Sequence, residues 1–102
     1  MKHSDLVNQI LLYLSPLGVA WSNATGAVKT EDRFLRYGLK GSSDILACIG
    51  GRFVGVEVKV GRDRQSDAQC RFEAAITRAG GVYILARSVD DVVARLKAEG
   101  LA

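Results

Sequence analysis

The chain has 102 residues, enough for one folded domain spanning residues 1–102 and too few for two. Its hydrophobic fraction of 48% and charged fraction of 25% are typical of a globular protein and argue against disorder. No apolar stretch approaches the ~20 residues of a membrane helix, and polar residues interrupt the N-terminal segment where a signal peptide would be apolar. We therefore expect a soluble, cytoplasmic protein with no membrane partner.

The charge balance is mildly basic, with a net charge of +3 and a sequence pI near 9.1. Such an excess is compatible with nucleic-acid binding but does not demonstrate it. The basic residues concentrate in two stretches, 29–40 and 59–71. Ordinary solvated surface charge explains these stretches equally well.

The two cysteines, Cys48 and Cys70, both stand among apolar neighbours. Two thiols in such surroundings are typical of buried, unpaired cysteines rather than of a disulfide framework. We therefore predict free thiols in a reducing compartment.

The N-terminal half predicts one helix followed by strands. Leucine and isoleucine recur at helical spacing from Ser4 to about Leu14, with Ser4 as the expected N-cap and "SPLG" at 15–18 as the stop. The segment 21–34 begins as a short strand and then predicts a loop. Three strands of a meander are predicted at 33–39, 44–49 and 52–60, the last two joined by a tight turn at Gly50-Gly51.

The C-terminal half predicts helix, strand, helix. Ser66 and Gln69 have the spacing of a capping box at the start of a helix that ends at Gly80. A buried strand at 81–87 and a helix at 88–100, capped by Ser88, complete the chain. The fold class is α/β, a mixed sheet flanked by helices, with the last strand parallel to an earlier one because a helix crosses over between them.

The strand at 52–60 carries a polar face that needs an explanation. Side chains alternate along a strand, so the valines at 54, 56, 58 and 60 share one face, and Phe53, Gly55, Glu57 and Lys59 share the other. A Glu–Lys pair at this spacing is most often a solvent-exposed pair. Gly55, however, leaves space beside the charges for something to approach the sheet closely.

Asp44 gives that face a chemical meaning. If the strands around Gly50-Gly51 form a hairpin, Asp44 lies opposite residues near 57, and its carboxylate can meet that of Glu57. Two adjacent carboxylates repel unless a cation lies between them. Oxygen ligands with retained waters are typical of Mg²⁺ sites at phosphates. The alternative is that Asp44 only caps the backbone of the preceding "GSS" turn.

Two further side chains are predicted to reach the same place. Lys59 projects from the face that carries Glu57, where an ammonium group can orient water or stabilise charge on a phosphate. Gln69, in the first turn of the next helix, can point back over the site. Gln69 can also serve only as a capping residue for Ser66, and the two roles are compatible.

Together these residues resemble a known family. "SSD" at 42–44, "GVEVK" at 55–59 and "SDAQ" at 66–69 are similar to the PD-(D/E)xK nuclease signature, with twelve residues between Asp44 and Glu57. The run at 51–72, "GG" at 80–81, "SVDDVVARL" at 88–96 and "SNATGA" at 22–27 resemble the small stand-alone VRR-Nuc (virus-type replication-repair nuclease) domains of phages and bacteria. The resemblance covers nearly the whole chain.

The resemblance implies a restriction-endonuclease-like αβββαβα core and a DNA endonuclease that depends on Mg²⁺ or Mn²⁺. Asp44, Glu57 and the main-chain carbonyl of Val58 would hold the metal, Lys59 would be the catalytic lysine, and Gln69 would support the site. Family members often add an acidic residue from the first helix, for which Asp5 is the best match. No role follows for His3. Candidate nucleic-acid contacts are Arg62, Arg64, Lys29 and Ser66.

The resemblance also implies a homodimer that resolves branched, four-way DNA junctions in a bacterial or phage-infected cell, with roles in DNA repair and recombination. No base-reading helix is evident, so recognition by shape and phosphates is expected. A monomeric flap or single-strand nuclease is an alternative within the same class. A non-catalytic DNA-binding or assembly module, or a scaffold with exposed charges, are alternatives of other classes.

Overall fold

A computed structural model describes residues 1–24 and 26–102 of the chain, without the side chains of residues 26–28 and 35–37. The elements, in chain order, are α1 (His3–Leu14), β1 (Val19–Ser22), β2 (Gly26–Lys29), β3 (Phe34–Tyr37), β4 (Ile45–Ile49), β5 (Arg52–Val58), α2 (Asp67–Arg78), β6 (Val82–Ala86) and α3 (Val89–Ala98). Across the described part of the chain, no helix has the length and apolar character that crossing a bilayer requires.

A four-stranded mixed sheet in the order β1-β4-β5-β6 forms the centre of the molecule. Strand β4 runs antiparallel to both β1 and β5, and β6 pairs with β5 in parallel. The parallel pair follows from α2, which supplies the long crossover that two parallel neighbours need. These strands and the three helices give the core order αβββαβα, so the predicted α/β class and the parallel last strand are confirmed.

The predicted position of the first meander strand, beside β4, is wrong. Strand β3, within the predicted strand 33–39, pairs with β2 in a separate two-stranded sheet. Strand β2 itself lies where a loop was predicted. The place beside β4 belongs to β1, in which Val19 pairs with Cys48 and Ser22 with Ile45. The strand signal at 33–39 was sound, but a local pattern does not determine which strand becomes the neighbour.

One face of the sheet packs against α1 and α3. The valines of β5 at 54, 56 and 58 are at most 1% exposed and contact the apolar stripe of each helix. Completing this core are Leu6, Ile10 and Leu14 of α1, Val92 and Leu96 of α3, and residues of β4 and β6. Each fully buried valine or leucine side chain contributes about 1.5–3 kcal/mol. The predicted assignment of the valines to the helix-covered face is confirmed.

The opposite face is covered by α2, which packs on β6 and leaves all of its own residues at least partly exposed. Ser66 caps this helix as predicted. Its hydroxyl accepts from Gln69 N, while the Gln69 side chain accepts from Ser66 N, which completes the capping box. Ser88 likewise caps α3 by accepting from Asp91 N. The polar face of β5 therefore lies under the beginning of α2.

Two smaller predictions are wrong. Ser4 is not the cap of α1, because the N-cap is Lys2, two residues earlier, with no side-chain cap bond. The cysteines are free, as predicted, but exposed rather than buried. Cys48 alternates with the buried Ala47 and Ile49, so it faces away from the apolar core, and Cys70 lies on α2, which buries no residue fully.

Candidate functional site

The hairpin between β4 and β5 sets the distance between the two predicted carboxylates. Gly50 and Gly51 have φ values of 58° and 78°, the left-handed conformation that a tight two-residue turn requires at both positions. This turn pairs Ile45 with Val56, so Asp44 stands beside Glu57 just before β4 begins. Oδ2 of Asp44 accepts from the main-chain N–H of Val58 at 2.8 Å. Asp44 therefore bonds across to β5, as the hairpin predicted.

Glu57 is a buried carboxylate, only 3% exposed. Its Oε2 accepts from Gln69 Nε2 at 3.0 Å and lies 3.3 Å from the ammonium nitrogen of Lys59. Its Oε1 is buried without a hydrogen-bond partner. Burial, followed by the charge of Asp44, raises the pKa of Glu57 to about 7, although Lys59 acts in the opposite direction. The site thus holds an acid that one lysine does not fully compensate.

Lys59 and Gln69 complete a connected network around Glu57. The Lys59 ammonium donates to Gln69 Oε1 at 2.9 Å, and only 9% of the residue is exposed. The same Oε1 accepts from Ser66 N, so the start of α2 fixes the amide that touches both charges. Gln69 therefore caps the helix, as predicted, and its amide also bonds to both Lys59 and Glu57. An ammonium has three N–H donors, which leaves Lys59 with hydrogen-bonding capacity beyond these partners.

His3 also reaches the site, and the sequence reasoning missed it. Its Nε2 lies 3.2 Å from Asp44 Oδ2 and 3.1 Å from the main-chain oxygen of Val58. A signal was available: the buried stripe of α1 includes Leu6 and Ile10, and residue 3 continues that stripe by one further turn. It was overlooked because His3 was expected to lie outside the helix.

Asp5 does not fill the position suggested for it. The residue is exposed in the first turn of α1. The physical reason is helical geometry, since each residue rotates the chain by about 100°. Two residues therefore place Asp5 about 200° around the axis from His3, which faces the site. The structure therefore places Asp5 outside the network around Glu57, and a role for it in the site stays a prediction.

The space beside Gly55 is occupied by the chain itself. A Cβ atom at position 55 would lie 2.7 Å from Ser43 Oγ, and Ser43 is fully buried. Glycine is therefore needed where the turn before β4 crosses β5. The expectation of a close approach at Gly55 is correct, but the approaching group is Ser43 rather than a ligand.

The predicted nucleic-acid residues lie outside the network of buried charges. Arg62 and Arg64 are exposed on the loop between β5 and α2. Arg87 holds this loop by donating to the main-chain oxygens of Gly61 and Asp63 at 3.1 and 2.7 Å. Lys29 is exposed at the end of β2, on the separate two-stranded sheet. Ser66 is exposed at the N-cap of α2, beside Gln69.

A pocket opens next to the lysine. It has a volume of ≈ 300 Å³ and is lined by Met1, Leu6, Lys59, Val60, Gly61 and Arg87. Lys59 thus belongs both to the buried network and to a surface concavity.

The donor set fits a hard divalent cation. No three His, Cys, Asp or Glu side chains among the described residues form a ready-made metal cluster. A magnesium-type site, however, uses one or two carboxylates and keeps several waters. The unpartnered Oε1 of Glu57, the repulsion from Asp44 that raises its pKa, and the nearby Val58 oxygen all favour a positive ion. The residues present are compatible with the group that the sequence predicted.

Comparison with known proteins adds no identification. No protein-family model matches the chain, and no curated protein matches it significantly. The case for a function therefore depends on the geometry of the site.

Proposed function

We propose that this chain is a divalent-metal-dependent DNA endonuclease of the VRR-Nuc type that hydrolyses phosphodiester bonds in branched DNA as a homodimer. The observation that carries the proposal is the cluster of Glu57, Lys59 and Gln69, in which one oxygen of the buried carboxylate has no hydrogen-bond partner. Asp44 lies beside this cluster and accepts from the main-chain N–H of Val58. A buried acid with a raised pKa beside a buried lysine costs stability, so a functional role is the simplest explanation.

Each residue has a specific task in this proposal. Asp44, Glu57 and the Val58 carbonyl would hold Mg²⁺ or Mn²⁺, which when bound lowers the pKa of water and stabilises charge on phosphate oxygens. Lys59 directs a remaining N–H toward the attacking water or the phosphate. Gln69 holds the side chains of Lys59 and Glu57 in position by hydrogen bonding to both.

Binding of the DNA backbone is assigned to the loop beside the site. Arg62 and Arg64 project from it into solvent, and Arg87 holds the loop at two main-chain oxygens. Arginines presented in this way suit phosphate contacts, which position DNA without reading its sequence. Lys29 and Ser66 would add further phosphate contacts.

The dimer follows from the number of sites. One chain carries one cluster, and two symmetry-related cuts in a four-way junction need two. Large apolar side chains that are exposed in the single chain, such as Leu12 at 77% and Val19 at 65%, would supply surface for a second copy. Sedimentation velocity of the protein, alone and with a junction, measures this directly.

The test is cleavage of labelled four-way junction, flap, single-stranded and duplex DNA with Mg²⁺, Mn²⁺ or EDTA. We expect paired cuts in the junction that depend on the metal and disappear in Asp44→Asn. Asp90→Asn, which alters an exposed acid in the first turn of α3, is the matched control and should cleave normally. Cleavage of flap or single-stranded DNA by a monomer would contradict the junction as the substrate. DNA binding without metal-dependent cleavage would contradict the proposed nuclease activity.

A further inference from the structure

We infer that His3 is a protein ligand of the divalent ion and makes the site prefer a first-row transition ion such as Mn²⁺ over Mg²⁺. The inference depends on the proposed metal site and adds a residue that sequence reasoning left without a role. It starts from two contacts: Nε2 of His3 lies 3.2 Å from Asp44 Oδ2 and 3.1 Å from the Val58 oxygen. These two oxygens belong to residues proposed to hold the ion.

The spacing of the three atoms suits common ligation. Neighbouring ligands of an octahedral ion, each about 2.1 Å from the metal, lie about 3 Å apart. The distances from His3 Nε2 to both oxygens are close to this value. The set contains two side chains and one main-chain oxygen, which is compatible with the absence of a three-side-chain cluster among the described residues. Glu57 would take part through a retained water bound to its Oε1.

The proton of the imidazole ring must be accounted for. Both oxygens near Nε2 are acceptors, so without an ion the ring donates through an Nε2 hydrogen. For Nε2 to bind an ion, this hydrogen must pass through solvent to Nδ1, which gives the other neutral tautomer, or leave to solvent if Nδ1 already carries one. The side chain is 45% exposed, so water reaches the ring.

A purely structural role explains the contacts less well. His3 does not cap its own helix, because the N-cap of α1 is Lys2 and no side chain bonds there. The position of α1 is set by the buried Leu6, Ile10 and Leu14. Nε2 of His3 instead contacts oxygens of Asp44 and Val58, which are 41 and 55 residues away in the chain.

The choice of ion follows from the donor chemistry. Mg²⁺ takes oxygen ligands almost exclusively, whereas an imidazole nitrogen is a good ligand for first-row transition ions. Replacing one oxygen or water by His3 therefore favours Mn²⁺ more than Mg²⁺. A site built only from Asp44, Glu57 and the Val58 oxygen would lack this preference.

The experiment is calorimetric titration of residues 1–102, with no tag added before Met1, by Mn²⁺ and separately by Mg²⁺. For His3→Ala we expect the Mn²⁺ dissociation constant to rise at least about tenfold, because removing even an indirect partner of a ligand costs 10–100-fold. The Mg²⁺ dissociation constant should change by less than about threefold, because the oxygen ligands remain. Ser4→Ala, one residue along on the exposed side of α1, should change neither.

Pulsed electron paramagnetic resonance of the Mn²⁺-loaded protein gives a second measurement. The chain has one histidine, so a directly bound imidazole nitrogen coupled to the ion can only be His3. We expect this coupling in the unmodified protein and in Ser4→Ala, and its loss in His3→Ala. Circular dichroism checks that the variants are folded.

The outcomes separate this inference from the proposed function. If His3→Ala leaves Mn²⁺ binding unchanged or tightens it, while Asp44→Asn abolishes it, His3 is not a ligand and the metal site stands. If Asp44→Asn and Glu57→Gln both leave Mn²⁺ binding unchanged, the metal site itself fails, and the proposed function with it.

Discussion

Strand β5 buries side chains on both of its faces, but the two faces bury different chemistry. On one face Val54, Val56 and Val58 are at most 1% exposed and pack against α1 and α3. On the other face Glu57 and Lys59 are 3% and 9% exposed, under the first turn of α2. Glu57 and the three valines belong to one strand of 7 residues, which Lys59 directly follows, so backbone geometry alone does not explain the difference.

The apolar face of β5 stabilises the fold, whereas the buried carboxylate on the polar face opposes folding. Burying valine removes apolar surface from water and favours folding. Burying a carboxylate opposes folding unless its partners compensate fully, and Glu57 keeps an unpartnered oxygen and a pKa raised to about 7. We infer that the polar face gives up stability in order to bind a cation.

We expect the largest loss of cleavage activity from Lys59→Met, on the polar face of β5. The substitution keeps the apolar part of the side chain and removes the ammonium that contacts Gln69 and Glu57. We expect junction cleavage to slow by about 10²–10³-fold, as for the loss of one donor to a charged transition state. Unfolding stability should change by less than about 1 kcal/mol, because the neutral form of Glu57 is accessible near pH 7. Single-turnover cleavage and urea unfolding measure the two quantities.

Val56→Ala is the matched substitution on the other face, at a residue that is 0% exposed. Removing two methyl groups from a packed core should lower the free energy of unfolding by about 2 kcal/mol. Cleavage per folded molecule should stay the same. If Lys59→Met lowers the free energy of unfolding as much as Val56→Ala does, or if it leaves cleavage intact, the proposed difference between the two faces is contradicted.

The next effect is the pH dependence of stability. The folded-state pKa of Glu57, about 7, lies above the ordinary value of 4.5. Between these values the folded protein holds a proton that the unfolded chain has released, so the free energy of unfolding falls as pH rises. Relative to Glu57→Gln, the unmodified protein should lose up to about 3 kcal/mol between pH 4.5 and 8. Urea unfolding without metal across this range measures the loss.

Asp44→Asn tests the contribution of the Asp44 charge to this pH dependence. The charge of Asp44 is the second cause of the raised pKa, after burial. Its removal should shift the decline in stability to lower pH and make it smaller. Parallel pH curves for the unmodified protein and Glu57→Gln would mean that the buried carboxylate carries no cost, and the two faces would then be energetically alike.

Much of the site was predictable because its signals are local. Gly50-Gly51 predicts a two-residue hairpin, and alternation along the strand then places Asp44 beside Glu57. The spacing of Ser66 and Gln69 predicts a capping box, which brings Gln69 to the same place. Each step needs only neighbouring residues and standard backbone geometry.

The errors arose where distant segments compete or where one residue decides an orientation. Strand β1 rather than β3 is the neighbour of β4, a choice made between segments far apart in the chain. An N-cap at Lys2 instead of Ser4 includes His3 in α1 and directs it toward the site, whereas Asp5 faces away. Sequence patterns locate helix ends only to within one or two residues, and here that margin decides which side chain reaches Asp44.

The smallest effect concerns the two helix caps, which are chemically alike but lie on different sides of the sheet. Ser66→Ala and Ser88→Ala each remove one side-chain cap bond, to Gln69 N and Asp91 N, and should each lower stability by about 1 kcal/mol. Ser88→Ala should not change cleavage by more than about threefold. Ser66→Ala should weaken DNA binding through the lost phosphate contact but leave cleavage of bound DNA within about threefold, because Gln69 Oε1 still accepts from Ser66 N and Lys59.

Gln69→Ala tests whether the cap of α2 also serves the site. It should cost a similar stability and also slow cleavage at least about tenfold, because Glu57 and Lys59 lose the amide that holds them together. Thermal unfolding and single-turnover cleavage of the three cap variants give the comparison. If Ser88→Ala slows cleavage as much as Gln69→Ala, activity follows overall stability, and Gln69 has no role on the polar face beyond starting a helix.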